Sequence, residues 1–201
     1  TPSAGGPDNW TDDSASAVTY MPISFRLFDE TLHYFSVTSN GMMQLWNSTV
    51  GTPFIVATNV SLPSLAQPSR LIAPFWDDLL PVSTASMPPV NLMRVRTLLI
   101  GSSPMRRFVV EWDQLSNRRD PTMRMRFQAK LFETTNVVEY HYCLLTRDAG
   151  TPIGTGNPEL VYGSSATIGI QNAAGTDAAL YAFDHRMAIS ATTAVRFTPV
   201  P

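Results

Sequence analysis

Residues 71–80 read Leu-Ile-Ala-Pro-Phe-Trp-Asp-Asp-Leu-Leu, an apolar run that meets two adjacent carboxylates. Leu71, Ile72 and Ala73 are core-forming. Pro74 has no amide proton, which suits a sheet edge or a bend better than a central strand. Phe75 and Trp76 bring large apolar area, and a buried indole N–H needs an acceptor. Asp77 and Asp78 then return the chain toward water. One reading is a strand end closed by an Asp turn, because Asp side chains bond nearby backbone amides. The other is a ligand or cation site at Trp76, Asp77 and Asp78, with calcium as the candidate ion. A hard cation, however, takes six or more oxygens, and two carboxylates supply only part of that set.

Outward from this stretch the chain reads as short strands. Val18, Tyr20, Ile23, Phe25 and Leu27 recur mostly at a spacing of two. Ser39-Asn-Gly41 predicts a hairpin turn, since Asn and Gly both accept positive φ. Met42–Trp46 is its return strand, and Ser48–Leu65 a loose connection. Downstream, Val90–Ile100, Arg107–Trp112, Met123–Glu133, Val137–Leu145, Ala166–Gln171, Ala179–Phe183 and Ala194–Thr198 read as strands. Met123–Glu133 is the clearest. Met125, Phe127, Ala129 and Leu131 alternate with Arg124, Arg126, Gln128 and Lys130. Ser116–Thr122 reads as a hairpin-length loop and Ala173–Leu180 as one short helical turn. About ten short strands at this spacing predict an all-β, antiparallel, jelly-roll-like β-sandwich. It forms a single domain over 18–201, preceded by an irregular, flexible arm or linker over 1–17 rich in Gly, Pro, Ser and Asp, which reads as a solvated tail or, alternatively, as an arm packed on its own domain or a neighbour.

Composition bounds the function. The 201 residues suffice for one domain with a substantial core. Net charge is −2, so no general attraction to nucleic acid is expected. No apolar stretch approaches the ~20 residues that span a bilayer as a helix. The chain begins at Thr1 rather than Met, as a processed or excised chain does. Cys143 is the single cysteine, so no internal disulfide forms, and its place in the apolar run Tyr140–Leu145 predicts a small buried hydrophobe rather than a nucleophile. Lys130 is the one lysine against thirteen arginines.

Several segments occur in an order that carries a family resemblance. They are Val37-Thr-Ser-Asn-Gly41, Ala73-Pro-Phe-Trp-Asp-Asp-Leu79, Phe108-Val-Val-Glu-Trp112, Phe127-Gln-Ala-Lys-Leu-Phe-Glu133, Val138-Glu-Tyr-His-Tyr142 and Ala166-Thr-Ile-Gly-Ile-Gln-Asn172. The chain resembles the nidogen-type extracellular (NIDO-like) β-domains, and more closely their bacterial relatives found as modules of large secreted or surface proteins. It departs from them at Phe28-Asp-Glu-Thr-Leu32, where a Tyr-Gly pair is common. The resemblance implies a secreted or cell-surface, non-catalytic module and supplies no catalytic residue set.

Two constellations remain. Arg94 with Arg96, and Arg124 with Arg126, each share a strand face. In one sheet they would make a basic stripe able to hold an anionic surface polysaccharide or an acidic protein. Their plainer role is cross-strand ion pairing on a solvated face. Glu111-Trp-Asp113 suggests a jelly-roll glycan hydrolase, but the laminarinase-like Glu-x-Asp-x-x-Glu pattern has Ser116 at its second Glu, leaving the carboxylate pair incomplete. His33, His141 and His185 form no metal-binding spacing. The sequence thus predicts no enzyme. It predicts a binding module for adhesion, matrix or surface assembly through protein or glycan contacts. The alternative is a structural subunit of a homomeric assembly or fibre that self-associates through the N-terminal arm.

Overall fold

The computed structural model describes residues 10–66, 68–85, 87, 90–148 and 158–199. The strands are β1 (Thr19–Leu27), β2 (Glu30–Val37), β3 (Met43–Trp46), β4 (Leu71–Trp76), β5 (Leu79–Pro81), β6 (Arg94–Ile100), β7 (Arg107–Asn117), β8 (Asp120–Phe132), β9 (Val138–Arg147), β10 (Thr167–Gln171), β11 (Ala178–Phe183) and β12 (Ala194–Phe197). Two antiparallel sheets face each other. The first has the order β1-β2-β3-β4-β10-β11 and the second β12-β9-β8-β7-β5, with β6 also paired to β7. The expected β-sandwich is present. Most strands that pair are consecutive in the chain, so each sheet is largely a meander rather than a jelly-roll winding.

The alternation in β8 places Met123, Met125, Phe127, Ala129 and Leu131 in the core, fully buried. From β7, Phe108, Val110 and Trp112 join them. The core is centred on an aromatic stack across the sandwich. Trp112 lies 5.4 Å from Phe127, and Phe127 lies 5.8 Å from Phe75 of the opposite sheet. The indole of Trp112 donates to Thr38 O at 3.0 Å, meeting the demand of a buried N–H.

Several expectations are corrected. Cys143, expected to be buried, is exposed on β9. The loop between β7 and β8 is only Arg118 and Arg119, because Asn117 already pairs with Asp120. Ala173–Leu180 forms no helical turn. Asn172 Oδ1 accepts the amides of Thr176 and Asp177, and β11 starts at Ala178. The one helical turn among the described residues is a 3-10 turn at Leu160–Tyr162. The Ser48–Leu65 connection covers the outer face of the first sheet, where Leu62, Val56 and Val60 pack on Met42, Leu71, Ala73 and Trp76. The described part of the N-terminal arm lies on the domain. Trp10 is buried in the core, Ala15 bridges Thr38, and Ser16 N donates to Val37 O at 2.9 Å. Residues 1–9 of that arm lie outside the described residues.

Pro74 sits in a central strand, not at an edge, and the ladder explains why this is tolerated. β3 pairs with β4 only at Leu71 and Ile72. On the other side β10 pairs at Ala73 and Trp76, with a register slip between them. Pro74 therefore occupies the irregular step, where its missing amide leaves no ladder bond unmade. Two buried tyrosines of β9 reach across the core to this step. Tyr142 donates to Pro74 O at 2.7 Å, and Tyr140 donates to Gly169 O at 2.8 Å. Burial raises both phenols well above their ordinary pKa, so they remain donors. Tyr142→Phe is expected to lower unfolding stability by about 1–3 kcal/mol with the fold retained, since it strands a buried carbonyl. An unchanged melting temperature would show that the carbonyl has another partner.

Candidate functional site

The acidic pair marks the point where the chain crosses from the first sheet to the second. β4 ends at Trp76, and β5 begins at Leu79 in the other sheet. Asp77 is 2% exposed. Its Oδ1 accepts the Asp78 amide at 2.8 Å, and its Oδ2 accepts Asn117 Nδ2 at 2.8 Å and Ser165 Oγ at 2.5 Å. One carboxylate thus joins the β4–β5 crossing, the β7–β8 turn and the segment entering β10. Burial dominates its ionisation and raises its pKa from 3.8 to about 6, against the lowering effects of these hydrogen bonds and of Arg119.

Asn40 supports the same corner from the other side. Its Oδ1 accepts Leu79 N at 3.1 Å, and its Nδ2 donates to Asp13 at 2.7 Å. The Ser39-Asn-Gly turn is therefore a buried clamp rather than an exposed hairpin tip, and only Gly41 of the pair takes positive φ. Asp78 is half-buried. Arg118 bonds it through the backbone, Arg118 N to Asp78 O at 2.9 Å, and also pairs with Asp12 at 2.7 Å. Burial raises the Asp78 pKa, and Asp12 and Asp13 add to this against Arg118. Trp76 points away from the corner, buried beneath the covering loop, with its indole donating to Val56 O at 3.1 Å.

These contacts bear directly on the cation reading. The oxygens of Asp77 already accept three hydrogen bonds from protein donors. Among the described residues no group of three or more His, Cys, Asp or Glu side chains is placed to hold a metal ion. The donor set at this corner therefore does not fit calcium as the side chains stand. Asn40, Asn117 and Ser165, which complete the corner, were not singled out by sequence. Asn40 carried a signal in the Ser-Asn-Gly turn, while Ser165 had none, because its proximity depends on the return of the chain to the first sheet.

The arginines lie on the outer face of the second sheet, where strand register sets their neighbours. Across β6, β7 and β8 one row reads Arg94, Asp113, Arg126 and the next Arg96, Glu111, Gln128. A third row places Lys130 opposite Glu139, which pairs in turn with Arg196 of β12. The stripe is thus interleaved with carboxylates from β7 and β9. Arg96 bonds Asp113 at 2.8 Å and Glu111 at 3.2 Å. Glu111 also accepts Gln128 at 2.7 Å. Arg124 lies at the end of the face and reaches Asp148 at 2.5 Å. Arg94 turns to the backbone carbonyls of Asn91 and Met93. Glu111 and Asp113, the two carboxylates of the hydrolase reading, are both held by Arg96, and Ser116 Oγ donates to Leu80 O at 3.2 Å.

The fold and these two regions define a two-sheet antiparallel sandwich domain with a buried acidic corner and a broad, charge-interleaved outer face. A family model described as NIDO related matches residues 3–199, and the chain belongs to that family. No curated protein and no solved structure matches the chain. Among the described residues no helix is long and apolar enough to cross a membrane.

Proposed function

We propose that the chain is a non-catalytic binding module of a secreted or cell-surface protein, acting in adhesion, matrix or surface assembly through protein or glycan contacts. The observation that carries this reading is the outer face of the second sheet. It presents Arg94, Arg96, Arg126, Lys130 and Arg196 among Glu111, Asp113 and Glu139 on rigid neighbouring strands. Such a face gives a partner several fixed charges and planar bidentate groups, which favour selectivity more than raw affinity. Membership of the NIDO-related family supports an extracellular setting.

The test is an array of surface polysaccharides and extracellular proteins, probed with calcium, with chelator and at raised salt. Binding is expected to survive chelation and to fall as salt shortens the Debye length to a few ångströms. The double variant Arg94→Glu, Arg126→Glu should abolish it. Binding that ignores both salt and this variant would overturn the reading. Release of reducing sugar, lost in Glu111→Gln, would restore the hydrolase.

A homomeric assembly is the second reading, favoured by the edge strand β11. Its sequence Ala-Ala-Leu-Tyr-Ala-Phe carries no charge and exposes Leu180, Tyr181 and Phe183. Uncharged edges pair readily, although the extra residue at the β10–β11 register slip bends this one. Sedimentation over a wide concentration range should show association that Leu180→Lys removes. A monomer throughout would count against it. Deleting residues 1–9 tests the arm separately without removing Trp10 from the core.

A further inference from the structure

We infer that the open end of the sandwich is a binding site for a free fatty acid, with its chain in the apolar cavity at that end and its carboxylate at Arg26. A cavity of about 500 Å³ lies where the β1–β2 turn, the start of β9, the β10–β11 hairpin and the end of β12 converge. That volume is within the range of small-molecule sites. Its walls include Leu27, Val138, Ile170 and Phe197, which continue the core outward, and Ala179, whose small side chain leaves space.

Two features bear on what this cavity would hold. The first is charge at its rim. Arg26 and Arg196 both line it. Arg196 is paired with Glu139 at 2.7 Å, whereas Arg26 has no carboxylate partner among the described residues. The backbone of Arg26 is fixed, its amide donating to Asn136 Oδ1 at 2.8 Å. An apolar cavity with an exposed arginine, Arg26, at its rim complements an amphiphile with an anionic head.

The second is backbone strain at the mouth. Phe28 and Asp29 form the whole turn between β1 and β2, since Leu27 pairs with Glu30. Phe28 takes φ +54°, a region where a bulky L-residue is disfavoured. Phe28 lines the cavity and is 37% exposed. A turn built only for stability would place Gly or Asn there. The strained aromatic instead adds apolar wall to the mouth, and strain of this kind tends to be kept where a ligand uses it.

The test uses dodecanoate below its micellar concentration, titrated into the full chain by calorimetry. Dodecyltrimethylammonium serves as the same chain with the opposite head. Neutral and anionic phospholipid vesicles serve as the membrane arm. Saturable one-to-one binding of dodecanoate is expected, at least tenfold tighter than the cation, and weakened about tenfold by Arg26→Ala. Phe28→Gly should weaken binding while keeping or raising the melting temperature, which separates a ligand role from a folding role. Ala179→Trp should obstruct the cavity and abolish binding in a protein that still melts cooperatively. Absence of saturable binding, equal affinity for the two heads, or unchanged affinity in Ala179→Trp would overturn the proposal. So would binding to vesicles alone. The cavity shares only Arg196 with the charged outer face, and the residues varied here, Arg26, Phe28 and Ala179, are not among those varied there, so the two tests are read independently.

Discussion

Gly41→Ala should be the most damaging single-methyl change in this chain. A Cβ at this position would lie 2.0 Å from Phe75 O and 2.9 Å from Phe75 C, well inside contact distance. The opposing atoms are backbone in a central strand, so nothing nearby can swing aside. Retreat of the turn is blocked as well, because the Asn40 side chain holds Leu79 N and Trp112 holds Thr38 O. Gly41 also takes φ +71°, which adds conformational strain for any L-residue. A loss of about 4–5 kcal/mol or more is expected, at the upper end for point mutants. In a chain of this size that lowers the melting temperature by at least about 10 °C. Gly101→Ala is the control. It shares positive φ, but its nearest obstacle is Met105 O at 3.0 Å. Only about 1–2 kcal/mol should be lost there. Similar losses at both positions would show that φ, not the contact with β4, governs Gly41.

Asp77→Ala carries the second large effect. It removes the acceptor of three donors, the Asp78 amide, Asn117 Nδ2 and Ser165 Oγ. Buried donors left unpaired cost about 1–3 kcal/mol each, so a loss of roughly 3 kcal/mol or more is expected. Asp77→Asn separates charge from hydrogen bonding. Its amide turns one acceptor into a donor facing donors, which destabilises the corner at any pH. The wild-type carboxyl has its own pH dependence. Its pKa is raised from 3.8 to about 6 in the folded state, so the folded form binds the proton more tightly than the unfolded form. That contribution is fully present below about pH 4 and is lost as pH rises through about 6, a range of roughly 3 kcal/mol. Wild type should therefore exceed Asp77→Asn most clearly near pH 4, with the gap narrowing toward pH 7. A gap that widens over that interval would mean that the ionised carboxylate is favoured in the fold.

The strands with strict alternation were legible in the sequence because a half-buried antiparallel strand records its two faces at a period of two. β8 is the clearest case, with inward Met, Phe, Ala and Leu against outward Arg, Gln and Lys. β4 is buried on both faces, so its continuous apolar run carried no such record. Pro74 then suggested an edge, and only the register slip and the two tyrosines explain its central position. The Trp10 segment looked solvated because its composition is polar, yet one large aromatic suffices to anchor it. At the candidate sites, sequence identified the acidic pair, the arginines and, as one reading, cross-strand ion pairing of those arginines, but not the register that decides which residues meet. Asn40, Asn117 and Ser165 are far apart in the chain, and the interleaving of Arg94 and Arg126 with Asp113 depends on register. Neither relation leaves a local signal.

The central claim is that the acidic pair is a structural corner rather than a ligand site, with the proposed binding placed on the outer face of the second sheet. The most direct measurement is a carbon-13 NMR titration of the Asp77 side-chain carboxyl, run with and without calcium. The account predicts a midpoint near 6 that calcium leaves unchanged. A midpoint at or below 4, or one that calcium drives down, would contradict it and return Asp77 and Asp78 to the ligand site.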